Sequence, residues 1–141
     1  MSPREMKAKV RYYLTEIWCN DNLDVLDEVL HPDFVAHSNP PQVGMEAVKQ
    51  SWRSGNLEAL SEKKVEFPHQ IVEGDLIATH IIFTGKHIGD LAGAKPTGNI
   101  ITLKSIAIQR FENGLLVEGW PIPDMLGMMQ QLGYKLTLED S

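Results

Sequence analysis

The sequence has a single cysteine, Cys19, and it has no long apolar run. One cysteine excludes an internal disulfide framework and is typical of a reducing cytoplasm. No segment approaches the roughly 18 consecutive apolar residues of a membrane-spanning helix, and the start, MSPREMKAKV, lacks the apolar stretch of a secretory signal. We therefore expect a cytoplasmic protein with no membrane partner.

Basic residues are also few. Lys and Arg number 13 against 19 for Asp and Glu, which gives a formal charge of -6, and the basic residues are scattered. Because binding to phosphate backbones needs a basic footprint, we expect no nucleic-acid partner. Dinucleotide and phosphate-loop motifs are missing, and the five histidines lack the spacing of a zinc or iron site. The sequence therefore predicts no cofactor and no metal.

The amino-terminal half carries helical patterns. A length of 141 residues, 43% of them hydrophobic, fits one domain over residues 1–141. Ser2 and Glu5 form a capping box, and the apolar stripe behind them predicts a long amphipathic helix. A shorter helix is expected to end at Pro32, an extended piece follows at 34–37, and a third helix begins near residue 45.

The carboxy-terminal half carries strand patterns. Apolar residues alternate with polar ones after residue 62, and glycine-containing turns separate the alternating runs. The predicted strands cover 62–71, 76–87, 99–111 and 115–122. Pro121 and Pro123 lack a backbone donor and are expected to interrupt pairing there, and a short helix then runs to Gly133. The pattern predicts an α+β fold, with a curved antiparallel sheet of four main strands packed against three helices and a mixed edge allowed.

Asp124 stands where the last strand gives way to the last helix. Asp is strongly preferred as a helix N-cap, and that role alone could account for it. The alternative is acid-base chemistry in a solvent-poor pocket. A helix N-terminus favours the charged carboxylate and apolar walls disfavour it, so the two influences together could bring proton exchange close to neutral pH.

A pocket between sheet and helices would be the default ligand site. Each residue that could line this pocket could also have a purely structural role. The histidines could be hydrogen-bonded structural residues, a strand lysine could snorkel outward, and the aromatic residues and methionines could belong to the core. The candidate lining residues are Trp120, His80, Lys104, Tyr13, Trp52 and Met128. His37 is a second candidate catalytic residue beside Asp124.

Three segments carry a resemblance to a known family. FTGKHIGDLAGAKPTG, IAIQRFENG and DMLGMMQQLG, together with FVAHSNPP, are similar to the SnoaL-like polyketide (ester) cyclases over residues 10–133. The resemblance implies a cone-shaped α+β barrel that is usually a homodimer. It also implies intramolecular aldol ring closure of a small hydrophobic, polycyclic ligand without metal or cofactor. Asp124 matches the family's acid/base, and His37 and Trp120 match its other recurring positions.

The sequence departs from the family pattern at two places. His80 occupies a strand position that is often Arg, and Pro-Ile-Pro separates Trp120 from Asp124. Both changes alter the polarity of a pocket, so the substrate does not carry over. Related isomerase or lyase chemistry and a non-catalytic small-molecule-binding domain of the same fold stay open as alternatives.

Overall fold

A computed structural model describes residues 1–139, and it contains four α-helices and six strands. The helices are α1 (Pro3–Asn20), α2 (Leu26–Val29), α3 (Met45–Ser54) and α4 (Met125–Gln131), with 3-10 turns at Leu23–Val25 and Leu57–Ala59. The strands are β1 (Leu30–Ala36), β2 (Gln42–Val43), β3 (Leu60–Glu73), β4 (Leu76–His87), β5 (Ile100–Glu112) and β6 (Leu115–Pro123). They form one curved sheet in the order β2-β1-β6-β5-β4-β3. The predicted α+β class is confirmed.

Helix α1 forms as its sequence predicts. The Ser2 hydroxyl accepts from the Glu5 amide at 3.1 Å, and the Glu5 carboxylate accepts from the Ser2 amide at 3.1 Å. The apolar stripe of α1 is buried against the sheet, and the Trp18 indole donates to the carbonyl of Thr84 at 3.0 Å. Within residues 1–139, no helix is both long and apolar enough to cross a bilayer.

Strand β1 differs most from the sequence prediction. The second helix is only one α-turn after a 3-10 turn, and the chain is already extended from Leu30 instead of from residue 34. Pro32 disfavours a helix in the residues before it, and β6 supplies a parallel partner, with Leu30 opposite Leu116. Long-range pairing therefore decides the conformation of this segment.

The sheet has two chemically different faces. Strands β3 to β6 form an antiparallel meander, in which directly opposed residues share a face. In β4, Ile77, Thr79, Ile81 and Phe83 are buried towards the helices, on what we call the inner face. The outer face carries the alternating residues, among them His80, and is largely uncovered.

The two prolines of β6 do not interrupt its pairing with β5, contrary to the sequence prediction. Pro123 lies opposite Ser105, and the amide of Asp124 still donates to the Lys104 carbonyl at 2.8 Å. Backbone groups of successive residues point to opposite sides of a strand, and the Gly119 carbonyl faces β1. The backbone groups of residues 121 and 123 point to the same side of β6 as those of Gly119. Strand β1 ends at Ala36 and does not extend far enough to pair with them. Their missing N–H groups therefore fall on a side where no strand pairs.

Candidate functional site

Asp124 caps α4. Its Oδ1 accepts a hydrogen bond from the Gly127 amide at 2.8 Å, which confirms the N-cap interpretation. The side chain is exposed, so the structure places it at the surface and not in the solvent-poor pocket that the sequence analysis expects. The cap bond explains this position, because it holds the carboxylate against the first turn of the helix. Among residues 1–139, Oδ2 makes no hydrogen bond.

Gly127 provides the room for this carboxylate. A Cβ at position 127 would lie 2.8 Å from the Asp124 Cγ and 3.0 Å from its Oδ1, both closer than ordinary contact. Since only glycine lacks a Cβ, a glycine at position 127 is required for the Asp124 carboxylate to adopt this position.

Helix α4 is fastened to the free end of β5. The Gln131 side chain accepts from the Thr102 amide at 2.7 Å and donates to the Thr102 carbonyl at 2.8 Å. One side chain thus takes the place of a neighbouring strand, because β6 ends at Pro123. Met128 and Met129 are half-buried against the core behind the helix. Asp124 therefore lies between the end of the sheet and a helix of fixed position.

His37 and Trp120 lie together on the outer face. Their rings stack with centroids 5.0 Å apart, and His37 Nε2 lies 2.9 Å from Glu118 Oε2. Arg110 Nε donates to the other oxygen of Glu118 at 2.7 Å. Hydrogen bonds from Arg110, and next from His37, hold the pKa of the Glu118 carboxyl below its usual value. This is an ion-paired cluster near the surface, outside the helix layer.

His80 and Lys104 also lie on the outer face. His80 is opposite His69 across the β3–β4 pair, and their Nδ1 atoms are 3.1 Å apart. Lys104 is exposed beside Ile106 on β5. In residues 1–139, no three His, Cys, Asp or Glu side chains meet in an arrangement suited to a metal ion.

The expected lining residues therefore divide between the two faces. Tyr13, Trp52 and Met128 lie on the helix side of the sheet, whereas Trp120, His80 and Lys104 point away from it, as does His37. Within one protomer these candidate lining residues therefore lie on opposite faces of the sheet. Side chains alternate along a strand, so a face is set by register, which composition does not reveal.

A row of small and polar residues runs along the inner face beside Asp124. Ser105, Ala107 and Gln109 of β5 are buried, and they lie opposite Pro123, Pro121 and Gly119 of β6. We call these six residues the inner row. The row ends at Pro123, one residue before Asp124 in the chain.

The inner row ends at a buried pair of polar side chains. Gln109 Nε2 donates to the Tyr13 hydroxyl at 2.6 Å, and both residues are only 6% exposed. Burial raises the pKa of Tyr13 to about 12. Gln109 Oε1 is buried and has no partner among the described residues. The sequence analysis missed Gln109, and its signal was a polar residue at an inward position of an apolar strand.

Two open clefts lie elsewhere on the described surface. One of about 360 Å³ is lined by Trp52, Ile17, Asp21 and Leu57, and the Trp52 ring meets Phe83 edge-on at 6.3 Å. The other, of about 290 Å³, lies at the hairpin end of the sheet. Asp124 lines neither cleft.

Similarity to known proteins covers nearly the whole chain. The model of the SnoaL-like polyketide cyclase family matches residues 8–132. Nogalonic acid methyl ester cyclase of Streptomyces nogalater is 25% identical over 118 residues, which are 78% of this chain and 84% of that protein. Aklanonic acid methyl ester cyclase of Streptomyces galilaeus is 24% identical over 137 residues, 92% of this chain and 91% of that protein. The structure of AclR from Streptomyces galilaeus, proposed to be a hydroxylase, superimposes with a TM-score of 0.82 at 25% identity, over 98% of this chain and 91% of that one.

Proposed function

The chain belongs to the SnoaL-like polyketide cyclase family, and on that premise we propose that it closes a ring in a small hydrophobic carbonyl compound without metal or cofactor. The observation that supports this most directly is the position of Asp124. Its carboxylate is held by the Gly127 amide at the junction of β6 and α4, one residue after the last member of the inner row. The two named relatives support the class of substrate, since both are methyl ester cyclases.

The reaction we propose is an intramolecular aldol closure. Asp124 takes a proton from a C–H group beside a carbonyl, and the resulting enolate carbon attacks a second carbonyl of the same molecule. One carbon-carbon bond forms, and the new alkoxide takes the proton back from Asp124. Acid-base catalysis of this kind contributes on the order of a hundred- to ten-thousand-fold in rate.

The two oxygens of Asp124 have separate tasks in this mechanism. Oδ1 is held by the Gly127 amide, which leaves Oδ2 free to receive and return the proton. In this mechanism the bound substrate covers the exposed carboxylate and removes water from it. Loss of water strengthens the carboxylate as a base, because the charged form is then less well solvated. His37 and Trp120 lie on the outer face, so this mechanism gives neither of them contact with the substrate in the same protomer.

The test uses the substrates of the two relatives. Purified protein is incubated with nogalonic and aklanonic acid methyl esters, and the cyclised isomer is separated by chromatography, since ring closure leaves the mass unchanged. We expect Asp124→Asn to lower turnover at least about a hundredfold, while Asn preserves the helix cap. Asp75→Asn, at an exposed turn, serves as the matched control. Turnover by Asp124→Asn near the wild-type rate would show that the assignment is wrong.

A non-catalytic ligand-binding domain is the alternative. The exposure of Asp124 and its cap bond favour it, since a helix cap needs no chemistry. This alternative predicts that a bound ester is recovered unchanged and that Asp124→Asn leaves its affinity intact. The same incubation, followed by a binding titration, separates the two functions.

We also propose that the protein is a homodimer that associates through the outer face. Ile106, Ile108 and Ile122 are 55%, 43% and 73% exposed on that face, and Trp120 is 36% exposed beside them. Adjacent exposed apolar side chains of this kind mark association surfaces. The family resemblance favours a second copy of this chain as the partner that covers the outer face.

A further inference from the structure

Two histidine side chains meet on the outer face of the sheet. His69 of β3 lies opposite His80 of β4, with their Nδ1 atoms 3.1 Å apart and their ring planes within 3° of parallel. The ring centroids are 5.4 Å apart, which exceeds the separation of the two nitrogens by about the width of one imidazole ring. Both nitrogens therefore lie on the line between the centroids, and the rings meet edge to edge in one plane.

This geometry limits how many protons the pair can hold. The Nδ1–H of one ring donates to the bare Nδ1 of the other, whichever ring is the donor. The hydrogen bond persists when both rings are neutral or when one is charged, whereas a further proton removes its acceptor. Two protonated rings in this position would also place like charges side by side. Because histidine is the side chain that changes charge between pH 5 and pH 8, the pair is a candidate pH-sensitive contact.

The charged groups nearest in register to the pair have opposite signs. Glu66 of β3 precedes the bulge before His69 and lies opposite Ile82, and Lys104 of β5 lies opposite Ile82 on its other side. In residues 1–139, neither histidine of the pair forms an ion pair. No neighbouring carboxylate therefore compensates for a second proton on the pair.

The histidine pair adjoins the apolar patch of the outer face. His80 lies directly opposite Ile106 of β5, and Ile106 lies opposite Ile122 of β6. Directly opposed side chains on one face of a sheet are close enough to touch. A second copy that covers these isoleucines therefore also covers the pair. Burying two charged rings in that contact would cost far more than burying a neutral pair that satisfies its own hydrogen bond.

We propose that the His69–His80 pair makes the association of two copies through the outer face depend on pH. In the dimer, each pair keeps at least one ring unprotonated. In the separate chains, the rings can turn apart into water and both take up a proton. The dimer then binds fewer protons than two monomers do, so a lower pH favours the monomers. The inference rests on the proposed dimer and is independent of the proposed chemistry.

The net charge of the chain acts in the opposite direction. The formal charge is -6, so proton uptake brings it closer to zero and weakens the repulsion between two copies. Protonation of His37 would likewise strengthen its contact with Glu118 on the same face. General electrostatics thus favours association as the pH falls. A dimer that weakens instead requires specific groups that have to stay unprotonated in the contact.

The experiment measures the dissociation constant of the dimer by sedimentation velocity at pH 8.0 and pH 6.0 and at equal ionic strength. We expect the wild-type constant to be at least about tenfold higher at pH 6.0. One proton released per protomer changes the constant by up to about a hundredfold per pH unit. The double variant His69→Gln, His80→Gln has no titrating ring in the pair. Its constant at pH 6.0 should stay within about threefold of its value at pH 8.0, or fall.

His31→Gln is the matched control, because it removes a histidine that lies in the cleft at the hairpin end of the sheet. This variant should keep the full pH effect, and so should His37→Gln. Thermal unfolding at both pH values shows that each variant is folded. The effect should also reverse when the protein is returned to pH 8.0.

Three results would overturn the inference. A wild-type dimer that is equally stable or more stable at pH 6.0 would show that the pair does not control association. Equal weakening of the wild type and the double variant would assign the effect to other groups. The proposed dimer stands in both cases. A wild type that is monomeric at both pH values would remove the dimer and the inference together, whereas the turnover of Asp124→Asn bears on the chemistry alone.

Discussion

Replacing Gly127 with Ala should displace the Asp124 carboxylate while leaving the fold intact. The new Cβ would lie 2.8 Å from Asp124 Cγ, closer than real Cβ contacts come, so the acid has to rotate away. The rotation breaks the cap bond to the Gly127 amide, which is worth about 1 kcal/mol. Alanine returns about 1 kcal/mol through its higher helix propensity. The two terms nearly cancel, so we expect the melting temperature to change by no more than about 3 °C.

Turnover should respond quite differently. If Asp124 is the acid/base, a displaced carboxylate should lower cyclisation of the methyl ester at least about tenfold at nearly unchanged stability, because catalysis requires the acid within hydrogen-bonding reach of the proton. Gln130→Ala is the matched control, since it alters an exposed residue of the same helix. A crystal structure of the Gly127→Ala variant would show the rotated side chain. Full activity together with a shifted carboxylate would refute the reasoning.

Three further predictions test other parts of the structure. The pKa of Tyr13 is raised from its ordinary value of 10 to about 12, so its contribution to stability is complete below pH 10 and is lost as the pH rises towards 12. Urea denaturation between pH 9 and 11.5 should show a steeper loss for the wild type than for Tyr13→Phe, and parallel curves would contradict the burial effect. Gln131→Ala should lower the free energy of unfolding by about 1–2 kcal/mol, because it removes both hydrogen bonds to Thr102. An unchanged denaturation midpoint would show that these two hydrogen bonds do not contribute to stability. Ile106→Lys should convert the proposed dimer to a monomer in analytical ultracentrifugation, whereas Ile88→Lys, which is equally exposed but lies beyond the end of β4, should not.

Local patterns predicted the elements that local interactions determine. The capping box and apolar stripe of α1 lie within one segment, and the structure confirms both. The four long strands were predicted within a few residues, because alternation and turn residues mark them. Strand β1 was predicted too short, since its extension depends on a parallel partner about 80 residues later in the chain. A single sequence carries no local signal for that pairing.

The candidate site was predicted less completely. The position of Asp124 at a strand-to-helix junction followed from the change of period, and its cap role was foreseen. The face to which each strand residue belongs was not, because a shift of register by one residue exchanges the two faces. His80 and Lys104 were therefore grouped with Tyr13 and Trp52, although they lie on the other face of the sheet. Gln109 was overlooked although it shares its parity with the buried Phe111.

The prolines of β6 have a consequence for how the molecule avoids unwanted assembly. Beyond the end of β1, the edge of β6 that faces away from β5 is unpaired. At positions 121 and 123 this edge offers carbonyl oxygens but no amide hydrogens. An extended peptide approaching that margin could form only half of the usual ladder, so strand addition and aggregation are disfavoured there. Strand addition is therefore disfavoured at the margin of the sheet that leads directly to Asp124.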